Sequence, residues 1–419
     1  MIYLVYGIKQ LLTLKGDNSP RKGKELSDLA IINNGAILID GENIIAVGSE
    51  KDIIKNPLVK KAKSIKAQGI ALPSFVDSHT HSVFAEPRLK DFSMRTSGLS
   101  YLEIKEKGGG IISSVKALRK ASKEKLIENL LCFCERFMEN GTGTIEVKSG
   151  YGLDLKNEIK ILEVIKEART KTAIEIVPTF LGAHSIPPEF KTSKEYIDYL
   201  IDKVLPVVSD KKLAVFADIF CEKGYFGHEE SARYLKKCRE YGLIPKIHAE
   251  QLGKFGGSIA AYKVNAISAD HMDWADDEYI KLIKKSDTIA TFLPASNYFL
   301  GLSHYPDSRK FIENAVPVAI ATDFNPGTSP CCNMQFVISC AVTHMKMKIE
   351  EAISASTING AFALNLANKF GSIEKGKIAN ISIFDINDYK EIAYYFGGNL
   401  NKMTINRGKV VYEKKNCSF

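Results

Sequence analysis

Hydrophobic and polar positions along the chain follow two regimes. Residues 28–48, DLAIINNGAILIDGENIIAVG, set two β-branched runs around DGEN, the pattern of a hairpin closed by a tight Gly-containing turn. The apolar opening MIYLVYGIKQLLTLKG is interrupted by Lys9, with no basic stretch before it and no small-residue cleavage site after it, so a strand is expected there. From residue 71 short apolar runs alternate with amphipathic stretches such as NEIKILEVIKEAR and DEYIKLIKKS, the signature of a parallel sheet made of βα units. Eight such strands are expected to begin near Ala71, Thr142, Ile174, Ala214, Ile244, Ala266, Thr288 and Pro317. That count points to an α/β fold, a (β/α)8 TIM barrel over residues 69–371. After helical segments at 333–367, NISIFDI and MTINRGKVVYE return to strand character, so the two ends of the chain, 1–68 and 372–419, are expected to form a small β-sandwich domain. No internal repeat, low-complexity tract or long linker interrupts this plan.

Composition narrows the class without changing the layout. The 57 Lys and Arg against 49 Asp and Glu give +8, but the basic residues are scattered through Lys-rich helical patterns, so no nucleic-acid partner is expected. Cys132, Cys134, Cys221, Cys238, Cys331, Cys332, Cys340 and Cys417 contain no CxxC and lack the spacing of a disulfide scaffold, which suits reduced thiols in a cytoplasm. No segment is long enough to span a bilayer, so no membrane partner is expected, and a homodimer is the default assembly.

The chemistry gathers where the barrel strands end. In a (β/α)8 barrel the active site is built at the C-terminal ends of the strands. His79 and His81 end the first strand, and alternation turns both side chains to the same face. His184 follows the third strand, His248 ends the fifth, His271 the sixth and Asp323 the eighth. Five of the eight histidines therefore fall at one mouth of the barrel, too many for unrelated core or loop residues. Imidazoles converging with a carboxylate are the ligand set of a borderline divalent ion such as Zn²⁺ or Fe²⁺.

The HxH after strand 1, the histidines after strands 5 and 6 and the Asp after strand 8 resemble the amidohydrolase superfamily. The finer blocks HTHSVFAEPR, SGLSYLEI, GTIEVKSGYGL, TFLGAH, DIFCE, HAEQL, SADH and ATDFNPGTSP resemble its members that open the imidazolone ring in histidine degradation. The resemblance implies one metal ion per subunit, divalent or trivalent, zinc or iron, on His79, His81, His248 and Asp323. Bimetallic relatives carry a carboxylated Lys at the end of strand 4, where this chain has DIFCEKG, and Glu222 and Lys223 are expected to be loop residues. The implied reaction converts 4-imidazolone-5-propanoate, a small anionic substrate, to N-formimidoyl-glutamate. Such an ion lowers the pKa of water to roughly 7, Asp323 would take the proton, and His271 would stabilise the oxyanion.

The remaining residues are compatible with that substrate. Arg88 is the candidate guanidinium clamp for the propanoate. Tyr151, in KSGYG, is expected to bond the ring or carboxylate, with Gly neighbours letting the backbone approach a ligand. Tyr101, His184, Asn325, Gly327 and Thr328 complete the expected substrate contacts. Gln251 stands where deaminase relatives place a proton-shuttling Glu, and a carboxamide cannot exchange protons at neutral pH, so it is expected to orient the ring. Two rivals remain: a deaminase acting on a cyclic amidine and a non-catalytic barrel. Lys148, in EVKSGYG, is expected to serve an ion pair or packing, and Cys331 and Cys332 to pack behind the site.

Overall fold

The computed structural model describes residues 1–99 and 101–414. Its first strands are β1 (Ile2–Leu12), β2 (Ile31–Asp40), β3 (Asn43–Ser49) and β4 (Lys63–Pro73). The DGEN hairpin forms as expected: Asp40 pairs with Asn43, and Gly41 takes a φ of +58° that an L side chain rarely adopts. The barrel follows with β5 (Phe75–Asp77), β6 (Thr142–Lys148), β7 (Glu175–Ala183) and β8 (Phe216–Cys221). Its second half is β9 (Ile244–Ala249), β10 (Ser268–His271), β11 (Ile289–Phe292) and β12 (Val318–Ile320). The chain then returns to the small sheet as β13 (Ile381–Phe384), β14 (Asn401–Asn406) and β15 (Lys409–Glu413).

The eight strands β5 to β12 lie side by side in chain order and pair in parallel. Beyond the ends of β5 and β12 the ring closes through a parallel bridge between Thr80 and Phe324, with His81 N donating to Phe324 O at 2.8 Å and Asp323 N to His79 O at 3.1 Å. Closure thus brings the first and last strands together at the residues that carry the candidate chemistry.

The small domain is a single hydrogen-bonded sheet in the order β15-β14-β13-β4-β1-β2-β3, with only β1 and β4 parallel. Val5, Ile37 and Ile44 from one arm share a buried cluster with Ile381, Ile383 and Ile405 from the other, so the sheet folds over its own core as a sandwich does. It is fastened to the bottom of the barrel: Ser74 N donates to Asn380 O at 3.0 Å, and the Phe75 and Phe384 rings lie 5.9 Å apart.

One expectation shifts here. The run from Ala71 divides between two sheets, since 69–73 pair with β1 and β13 and the barrel strand begins only at Phe75. Hydrophobicity is continuous across GIALPSFV because both sheets bury it, so periodicity cannot see the change of partner.

Candidate active site

His79 and His81 emerge from β5 two residues apart, so both imidazoles enter the barrel mouth. Their Nε2 atoms are 3.3 Å apart, and His248 Nε2, from the end of β9, lies 3.4 Å from His81 Nε2. Asp323 Oδ1 is 3.7 Å from His79 Nε2 and 3.6 Å from His81 Nε2. Donor atoms around one ion at 2.0–2.1 Å sit roughly 3.4 Å apart in a tetrahedron, so this spacing fits a metal centre. Burial holds His79 and His81 well below the ordinary imidazole pKa, with neighbouring basic groups adding to the shift, so both stay in the neutral form that ligates. Burial pushes the Asp323 carboxyl up to about 6. His271 closes the constellation, with a nitrogen within 4.8 Å of donor atoms of His79 and Asp323.

Two of these residues are held in unusual backbone conformations. His271 has φ +82° and Asp323 φ +54°, the left-handed region, where a non-glycine residue stores of order 1–3 kcal/mol. His271 is the last residue of β10, and Asp323 lies three residues beyond the end of β12.

Beneath the ligands lies a layer of charge with no exposure to solvent. His79 Nδ1 is 2.7 Å from Asp270 Oδ2, and His248 Nδ1 is 3.1 Å from Asp218 Oδ2. Lys148 Nζ reaches Asp218 at 2.7 Å, Glu146 at 3.0 Å and Asp270 at 3.6 Å. Lys246 Nζ reaches Glu146 at 2.8 Å and Ser78 O at 2.9 Å. Lys148 therefore serves ion pairs, as expected: burial alone would lower its pKa, but the three carboxylates raise it above the usual lysine value. Lys223 is exposed, so it is not in the barrel interior at the end of β8. Glu222 is buried instead, and its Oε1 accepts from the amides of Gln251 and Leu252, which fixes the loop that carries Gln251.

Above the ligands opens a cavity of about 100 Å³. Its walls include His81, His248, His271 and Asp323 on the metal side and Arg88, Tyr151, His184, Gln251, Asn325 and Thr328 around the rest. Phe220, Leu252, Ile111 and Leu300 add apolar surface that sequence reading did not anticipate. Phe220 had a signal, since it lies two residues after Asp218 on β8 and so faces inward; the others come from loops and helices with no such periodicity.

Arg88 is almost enclosed, with its side chain 9% exposed. Asp91 is 3.9 Å away, and the Nε of Arg88 is buried without a hydrogen-bond partner among the described residues. A guanidinium so placed is short of acceptors. Gly327 makes its position possible, because a Cβ there would fall 2.0 Å from Arg88 Cζ. Asn325 is spent within its own turn: Nδ2 donates to Asp323 O and Thr328 Oγ1, and Oδ1 accepts from the amides of Gly327 and Thr328.

Both glycines beside Tyr151 are closely packed, Gly152 against the backbone of Asn157 and Glu158. Gly150, at φ +111°, lies against His184, whose ring a Cβ would meet at 2.9 Å, and His184 Nδ1 is 3.0 Å from Gly150 O. Tyr151 itself is buried against the rings of His184 and His81, at 5.4 and 6.1 Å. The side chain of Tyr101 lies outside the described residues. Glu250 has its carboxylate turned to the amides of Phe255 and Ser258, at 2.7 and 2.8 Å, leaving Gln251 as the polar residue of that loop in the cavity.

The fold agrees with that of known proteins. The chain folds like E. coli guanine deaminase, with a TM-score of 0.76 at 16% identity over 99% of this chain and 100% of that one. A variant atrazine chlorohydrolase from Arthrobacter aurescens, complexed with zinc and atraton, gives 0.69 at 16% identity over 98% and 95%. The imidazolonepropionase of Geobacillus kaustophilus is 42% identical over 96% of both chains, and that of Alkaliphilus oremlandii 39% over 98% of both. The amidohydrolase family model matches residues 70–411, nearly the whole barrel and the strands that follow it. With that match and this level of identity along the full chain, the protein belongs to the amidohydrolase family and, within it, to the imidazolonepropionases.

Proposed function

We infer that the site holds a single metal ion, zinc or iron, on His79, His81, His248 and Asp323, and hydrolyses the ring amide of 4-imidazolone-5-propanoate to N-formimidoyl-L-glutamate in histidine degradation. The observation that carries this reading is His81 Nε2 lying 3.3, 3.4 and 3.6 Å from His79 Nε2, His248 Nε2 and Asp323 Oδ1, with His79 Nε2 3.7 Å from the same carboxylate oxygen, at the floor of a cavity whose wall includes Arg88. A single ion fits the charge layer as well: Glu146 and Asp270, which could join His79 around a second cation, are occupied by the ammoniums of Lys148 and Lys246. When bound, the ion supplies Lewis acidity and a water of lowered pKa.

The chain's own residues do the rest. Arg88 binds the propanoate, and Thr328 and Tyr151 close on the same end of the substrate. Gln251 and His184 hydrogen-bond the ring and hold its carbonyl toward the ligand cluster. As water adds to the carbonyl carbon, Asp323 accepts its proton. His271, kept neutral by burial, donates to the oxygen as negative charge grows there. The C–N bond then breaks, its electron pair stays on nitrogen, and the proton held by Asp323 completes the amidine. Gln251 has no proton to relay, so ring opening without ammonia release is expected. We place the catalytic unit at 75–371, the sandwich at 1–73 with 372–419, and the assembly as a homodimer. Metal analysis of the purified protein, paired with the decay of imidazolone absorbance, tests the reading; protein without bound metal but with full turnover would overturn it.

A further inference from the structure

Two of the proposed metal ligands share a support that neither makes directly. His79 and His248 come from β5 and β9, and each turns Nδ1 to a different carboxylate, Asp270 at 2.7 Å and Asp218 at 3.1 Å. With Nε2 committed to a metal, His79 Nδ1–H donates to Asp270, while His248 Nδ1 faces Asp218 within ion-pair distance but without hydrogen-bond geometry, so the carboxylates hold one ring by a hydrogen bond and the other by charge. Those carboxylates in turn converge on one ammonium, Lys148 Nζ, at 2.7 Å from Asp218 and 3.6 Å from Asp270, with Glu146 at 3.0 Å as its third partner. All of these side chains are fully buried, so no water screens them.

We propose that Lys148 is the positioning residue of the metal centre: a lysine that touches neither metal nor substrate, yet sets metal affinity by holding both carboxylates that orient His79 and His248. The proposal rests on the metal-site reading above. Lys246 does not share the role equally, since it is bound to Glu146 and Ser78 O, lies 3.8 Å from Asp270, and has no contact with Asp218 among the described residues. The layer's formal charge also matters. Glu146, Asp218 and Asp270 against Lys148 and Lys246 give 2 − 3 = −1, a buried negative charge directly under the site for a cation. Without Lys148 the two carboxylates would repel each other, and the rings they hold would lose their common aim.

The test compares wild type, Lys148→Met and the double variant Lys148→Met/Glu146→Gln, which restores the −1 balance and protects folding if the single variant does not fold. Metal-free proteins are checked by circular dichroism and thermal melting, Zn²⁺ affinity by chelator competition, and site geometry by the visible spectrum of the Co²⁺-loaded protein. Expected is a roughly 10- to 100-fold loss of affinity in both folded variants, the range for removing a residue that orients a ligand, with an altered Co²⁺ spectrum. Wild-type affinity and spectrum in either variant overturn the proposal, as does a double variant that cannot fold, since Lys148 would then serve stability alone. Failure of the wild type to bind Zn²⁺ or Co²⁺ would instead overturn the metal-site reading.

Discussion

At the scale of single residues, the substrate end of the site depends on one missing methyl group. Gly327 has to be glycine because the Arg88 guanidinium lies where its Cβ would be, 2.0 Å from Cζ. Gly327→Ala should therefore displace Arg88 and raise KM with little change in kcat, the signature of lost binding to a part of the substrate that does not react. Arg88→Ala should do the same more strongly. Steady-state kinetics on both variants checks the pair, and an unchanged KM for Arg88→Ala would remove that residue from the binding site. His79→Ala and Asp323→Ala should abolish turnover while the far-ultraviolet circular dichroism stays that of the wild type.

At the scale of elements, three segments that carry cavity residues are tied down by a buried carboxylate on a neighbouring segment. Glu222 holds the amides of Gln251 and Leu252, and Asp91 accepts from Gly110 N at 2.8 Å, next to the cavity residue Ile111. The strongest case is Glu158, on the helix Leu155–Ala168. Its carboxylate accepts from the amides of Gly150, Gly152 and Leu153 at 3.2, 2.8 and 2.9 Å, fixing the turn that carries Tyr151. Glu158→Ala should leave these amides unsatisfied and cost about 3 kcal/mol, read by denaturant unfolding. Glu158→Gln, which keeps one acceptor oxygen, should recover part of that loss. Equal stability of wild type and Glu158→Ala would show that the turn is held by other contacts.

At the scale of the molecule, a metal-linked stability is expected because the four proposed ligands come from three regions brought together only by barrel closure: the end of β5, β9 and the turn after β12. An ion binding the folded chain alone contributes about 4 kcal/mol at a thousandfold excess over its Kd. Chelation should therefore lower Tm, and restored zinc or iron should raise it again; calorimetry with and without chelator decides this. An unchanged Tm would mean that the barrel mouth is formed without help from the ion.

The sequence by itself determined the barrel and which polar residues gather at its mouth. Seven of the eight expected barrel strands appear within a few residues of their expected starts, because a strand buried on both faces is a short apolar run that composition exposes. The HxH spacing and the histidines that end β9 and β10 were legible for a related reason, since polar residues closing apolar runs stand out. Tertiary structure alone decided the layer beneath them. Glu146 and Lys148, or Lys246 and His248, are recognisable in the sequence only as alternate residues of a strand, and nothing local shows that Lys148 meets Asp218 70 positions away or that Lys246 meets Glu146 100 positions away. It also decided where the first barrel strand begins, because a change of hydrogen-bonding partner leaves no trace in hydrophobicity. Gly150 and Gly327 belong to the same class: their need for glycine is set by His184 and Arg88, side chains that arrive from elsewhere in the chain.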